Sequence, residues 1–147
     1  MDNEQIQLIF QLLLVVIFGG LIGFEREWKR KEAGLQTYTL VTLGACVFTI
    51  ISSQLFNFFG DKTGLGFDPS RIILAVATGI GFIGAGAIFR RENHTEGITT
   101  AAGLWAVAGI GVAVGAKLYF LALMATFFTL LVLIIYGELE KKFIGKR

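Results

Sequence analysis

The stretch ITTAAGLWAVAGIGVAVGA, residues 98–116, decides the fold. It carries no charge over 19 residues, and 12 of them are Gly, Ala or Thr. At about 1.5 Å of rise per residue it reaches about 30 Å as a helix, the thickness of a hydrocarbon core. Side chains this small let helix backbones approach closely, and close approach is how helices associate where lipid removes the hydrophobic drive. The stretch reads as a packed membrane-spanning helix, not as a soluble core.

Outward from it the same pattern repeats. All 24 charges fall in six patches, at 2–4, 25–32, 61–71, 90–96, Lys117 and 138–147. Between the patches lie five charge-free runs of 20, 28, 18, 20 and 20 residues, at 5–24, 33–60, 72–89, 97–116 and 118–137. Hydrophobic residues make up 54% of the 147 and charged ones 16%, against about 25% in ordinary soluble domains. The composition excludes a soluble enzyme domain and a disordered chain. The expected fold is all-α, a polytopic membrane protein with five transmembrane helices at Ile6–Phe24, Thr37–Phe59, Arg71–Phe89, Ile98–Ala116 and Leu118–Tyr136. Residues 1–137 form the membrane domain and 138–147 a short basic cytoplasmic tail.

Five spans alternate the loops between two sides. One side takes ten Lys and Arg: Arg26, Lys29, Arg30, Lys31, Arg90, Arg91, Lys141, Lys142, Lys146 and Arg147. The other takes Lys62, Arg71 and Lys117. Basic loops stay cytoplasmic, so the N-terminus is expected outside and the C-terminus inside. Asp2 and Glu4 before the first run exclude a signal peptide with a basic leader.

Small residues mark the faces expected to pack. Gly19 and Gly23 are spaced as GxxxG on the first span, Gly111 and Gly115 on the fourth. Gly79, Gly81 and Gly84 crowd the third, where Ala77, Gly81, Gly84 and Ala85 share a helical face. Spans one, three and four are therefore expected at the centre, with the Leu- and Phe-rich fifth at the edge. Asp68-Pro69-Ser70-Arg71 reads as a helix start, with Asp as cap and Pro at the first helical position.

Chemical motifs are few. GIGFIG at 79–84 matches a dinucleotide fingerprint as a string but lies inside a membrane run, with no strand before it. One His, one Cys and no hydrolase or P-loop string leave no catalytic constellation, so no enzyme and no cofactor is expected. His94 reads as a solvated loop side chain and Cys46 as a small buried hydrophobe. No Asp, Glu, Lys, Arg or His lies mid-membrane in any span, which weighs against an ion-coupled carrier. Polar interest centres on Glu25 and Arg26 at the end of the first span. Glu25 can pair with Lys29 at i+4, and it is expected to reach Arg90, Arg91 or the Thr99–Thr100 helix start on the same side. Asp68 and Arg71 fall on the opposite side.

GGLIGFEREW (19–28), AGLQTYTLVTLGA (33–45), DPSRI (68–72), GIGFIGAGAIFRR (79–91) and GITTAAGLWAVAGIGVAVG (97–115) together resemble the MgtC/SapB family of bacterial inner-membrane proteins. The resemblance implies roles in survival under magnesium limitation and in energy homeostasis. It implies a non-enzymatic mode, inhibition of the proton-translocating ATP synthase through contacts within the membrane. The residues carried over are Glu25, Arg26, Asp68, Arg71, Thr99 and Thr100. The chain ends about ten residues after the fifth span, like the short SapB-type form without a soluble C-terminal domain. Expected partners are membrane lipid, further copies of the chain and another integral membrane protein, and not nucleic acid. The competing expectation is a small magnesium or proton channel or transporter.

Overall fold

A computed structural model describes residues 2–59, 68, 70–91 and 94–143. Lys62, Pro69 and the basic residues after Phe143, which enter the reading above, lie outside them. Helix α1 spans Asn3–Trp28, α2 Leu35–Phe59, α3 Ser70–Gly86, α4 Ile98–Gly115 and α5 Tyr119–Leu131. A π-helical turn, Val132–Tyr136, continues α5 into α6, Gly137–Phe143. The chain is an all-α polytopic membrane protein. Four helices are long and apolar enough to cross a membrane: α1, α2, α4 and the continuous α5–α6. Helix α3, with 17 residues, is apolar but shorter than these four, about 25 Å long.

The third span ends at Gly86 and not at Phe89. Phe89–Arg91 (β1) pairs antiparallel with His94–Glu96 (β2), with Phe89 opposite Glu96 and Arg90 opposite Thr95. The stretch read as a loop is thus a short hairpin. Gly97 follows at φ 85°, and a Cβ there would overlap the Ala87 carbonyl oxygen. Only glycine closes this α3–α4 junction.

Helix α4 ends at Gly115, and the chain breaks at Lys117 before α5 begins. There Lys117 N–H bonds Val114 O and Leu118 N–H bonds Ala113 O, at 3.0 and 2.8 Å. Arg30 closes α1 in the same way, its N–H on Glu27 O and that of Lys31 on Arg26 O. Both are Schellman closures, and both put a basic side chain at the left-handed position (φ 64° and 51°) where glycine is usual.

The centre differs from the expected one. It consists of α1, α2 and α4, with α2 packed along both of the others. Helix α4 buries ten of its 18 residues, whereas α3 buries Ile80 and Gly84 among its described residues. The face of α2 that enters the centre is Tyr38, Thr42, Ala45, Cys46, Thr49 and Ser52, spaced three or four apart. Its Thr hydroxyls donate to their own helix, Thr42 to Tyr38 O and Thr49 to Ala45 O. They therefore need no polar partner on the neighbouring helix. Gly19 and Gly111 sit against Thr42, Gly115 against Thr49 and the Cys46 carbonyl, and Gly23 against the Leu35 backbone. Gly84 meets Ala101 at ordinary contact distance. Gly79 and Gly81 meet nothing within 4 Å. They face open space because α3 lies outside the trio, and a cavity of about 510 Å³ separates it from α2.

Candidate functional site at the joined helix ends

One end of the bundle gathers the C-terminus of α1 and the N-termini of α2 and α4. Carbonyls point out of the first and amides out of the other two, so basic groups belong at the first and carboxylates at the others. The sequence supplies both within residues 25–32. Glu27 Oε2, from the last turn of α1, accepts the Leu35 N–H that opens α2, at 3.1 Å. Thr100 Oγ1, in the first turn of α4, donates to Glu32 Oε2 at 2.5 Å. Tyr38 Oη donates to the Thr100 carbonyl at 3.1 Å and so ties α2 to α4. Gly103, one turn on, leaves room for the Tyr38 ring.

Glu25 and Arg26 are buried, 9% and 3% exposed. Lys29 Nζ lies 2.8 Å from Glu25 Oε1, though off the line of a hydrogen bond, and Arg26 Nη1 lies 3.5 Å from Glu25 Oε2. The Arg26 side chain also lies against the Tyr38 phenol, while its Nε is buried without a partner among the described residues. Lys29 then crosses to the last span, donating to Leu133 O at 3.2 Å. In the loop, burial pushes Glu32 up, but the Thr100 hydroxyl, its own backbone amide and the charges of Lys31 and Arg26 outweigh it. Its carboxyl therefore titrates below the ordinary 4.5.

Of the residues singled out from sequence, Glu25, Arg26 and Thr100 come together here. Glu25 is not freely solvated, but its partners are Lys29 and Arg26 of its own helix. Arg90 stands exposed on β1, and Thr99 is exposed beside the buried Thr100. The i+4 spacing to Lys29 wins because it needs no approach between helices. Asp68 and Arg71 lie at the start of α3, and the hairpin brings the other end of α3 to α4. They are therefore at the opposite end of the bundle. Asp68 Oδ1 accepts the Ser70 N–H at 2.9 Å, and hydrogen bonding from the Ser70 hydroxyl first, then from that N–H, holds its carboxyl below the ordinary 3.8. Among the described residues no three His, Cys, Asp or Glu gather as a metal site.

Glu32, Tyr38 and Gln11 escape a reading based on charge and glycine. Gln11 lies within the first run, 1% exposed, and its amide donates to both Val114 O and Gly115 O, at 2.8 and 3.1 Å. It satisfies the open carbonyls at the end of α4 from a neighbouring helix. A glutamine four residues beyond Gln7, inside the apolar part of the run, is the signal that marks it. Beside it Lys117 donates to Gln7 Oε1 at 3.0 Å.

The MgtC family model matches residues 12–142. YhiD of Escherichia coli (strain K12), whose name proposes a magnesium transporter, is 40% identical over 140 residues, covering 95% of this chain and 65% of its own. SrpB of Synechococcus elongatus is 37% identical over 149 residues, with 95% and 80% covered. MgtC of Brucella abortus is 43% identical over 116 residues, with 79% of this chain and 45% of its own covered. The chain thus spans about two thirds of YhiD and under half of this MgtC. No solved structure matches it. With the family matched over nearly all of the helical bundle, and relatives at 37–43% identity, the chain belongs to the MgtC family.

Proposed function

We propose that this protein is a non-enzymatic regulator in a bacterial inner membrane, linked to magnesium or energy homeostasis, that works by intramembrane contact with other proteins. The proton-translocating ATP synthase is the partner class implied by the family resemblance. The observation that carries the reading is the direction in which polarity is spent. Thr42, Thr49, Tyr38, Thr100 and Gln11 are all tied off within the α1–α2–α4 centre, where glycines bring backbones into contact. Outward the described spans present apolar side chains such as Phe82 and Trp105, and uncovered glycines on α3. A membrane helix can pack on such a surface, and copies of the chain can associate through it. The N-terminus is outside and the C-terminus cytoplasmic in this reading, from the ten-to-three split of basic residues.

The name of YhiD favours a second reading, a magnesium or proton pathway. Two measurements separate them. Capture from native membranes should retain an integral membrane partner, and the purified protein in liposomes should pass neither magnesium nor protons. A flux that scales with protein and is lost on Arg26→Gln would replace the regulator with the transporter.

A further inference from the structure

The last span contains a conformational device that the centre controls. A π-helical turn holds one residue more than an α-helix allows, and it leaves a carbonyl without its usual amide. In Val132–Tyr136 the Leu133 carbonyl accepts from the Lys29 ammonium at 3.2 Å. Lys29 Nζ is also 2.8 Å from Glu25 Oε1 and 3.9 Å from Glu138 Oε1, beyond the turn. Gly137 lies directly over it, where a Cβ would stand 3.5 Å from Nζ. The ammonium is thus shared between two carboxylates and one backbone oxygen, and of these only the Glu25 contact, made within α1 and its cap, is independent of the π geometry.

We infer that Lys29 is a register lock: its hydrogen bond to Leu133 O holds the π turn and thereby fixes which face of α6 meets the end of α1. Without that donor the bare carbonyl in an apolar surrounding favours a return to the α ladder. An α ladder through residues 132–136 advances every later residue by one helical step, a rotation of about 100°. Glu138 then leaves Lys29, and α6 shows a different face at the membrane surface. An anionic group that draws the ammonium away from Leu133 O would have the same effect, so the lock couples occupancy of the Glu25 cluster to the orientation of α6.

The test uses the full chain in lipid nanodiscs, with spin labels on Trp105→Cys and Leu139→Cys and the buried Cys46 left in place. Both labelled positions are exposed. Lys29→Met should shift the label-to-label distance by up to about 8 Å, the displacement of a side-chain tip on a helix about 11 Å across turned by 100°. Lys29→Arg should keep the unsubstituted distance. Deleting Ile134 removes the extra residue, so α6 should keep its original face without a π turn, and adding Lys29→Met should then change nothing. An unmoved distance in Lys29→Met overturns the lock, as does an equal shift in Lys29→Arg. If Lys29→Met fails to insert, the Ile134 deletion decides alone: an unchanged distance supports the lock and a displaced one overturns it.

Discussion

Helices α3 and α4 look alike as sequences and behave as opposites. Both are rich in glycine and alanine, and both follow a polar helix start. Yet α4 is the most buried helix of the bundle, while the glycines of α3 at 79, 81 and 86 have nothing within 4 Å. Glycine content states only that a backbone can be approached. Whether it is approached depends on a partner with a face equally low, and α2 offers that face to α4 with Thr42, Ala45, Cys46 and Thr49. On the other flank of α2, Leu40, Val41 and Phe48 line the cavity that lies between it and α3.

The largest expected effect breaks this pair apart. Gly111→Ala drives a methyl into the Thr42 backbone carbonyl and should cost at least about 3 kcal/mol in an SDS unfolding titration, or abolish the folded state. Gly81→Ala should change stability little or raise it by about 0.5 kcal/mol, through helix propensity. Equal damage at both sites would mean that the open face of α3 is covered in the membrane by a partner or a second copy.

Next comes the end of α4. Gln11→Ala removes both donors from the Val114 and Gly115 carbonyls and should cost about 1–3 kcal/mol in the same titration. Gln11→Glu should be worse, since a carboxylate would face two carbonyls. A neutral result for Gln11→Ala would show that α4 ends are satisfied by water and that the centre is wetter than its packing implies. At the other end Tyr38→Phe should cost about 1 kcal/mol, because only the bond to the Thr100 carbonyl is lost while the ring stays packed.

The five helices were legible because charge is excluded from every span, and that rule is strict in hydrocarbon. The ordering of the helices was not, because packing is decided by pairs of faces and the sequence displays one face at a time. Threonine hides the central role of α2: it reads as polar, but bonded to its own helix at 42 and 49 it packs as a small residue. Glu25 and Arg26 stood out as charges beside a membrane run. Glu32 did not, because a loop carboxylate next to Lys31 reads as solvated until the fold brings Thr100 to it. The π turn has no composition of its own, since Val132–Tyr136 is an ordinary apolar string.

The smallest effect concerns how α3 begins. Whereas the first turn of α4 is tied to Glu32 and Tyr38 from elsewhere in the chain, that of α3 depends on its own Asp68, exposed to solvent and bonded to Ser70 N–H. The Ser70 hydroxyl and that N–H together lower the Asp68 pKa below 3.8 in the folded state, so their stabilisation is complete above the unfolded value. It fades as pH falls past 3.8 and through the lower folded value. Hydrogen-exchange protection at Ile72–Ala75 should therefore drop on acidification while protection at Leu104–Val107 in α4 holds. Asp68→Asn, which keeps an acceptor oxygen but does not titrate, should flatten the pH dependence of α3 and leave α4 unchanged. If α4 loses protection in step with α3 in the parent chain, the two helices open as one unit, and the contrast between a buried and an open glycine helix fails at the level of dynamics.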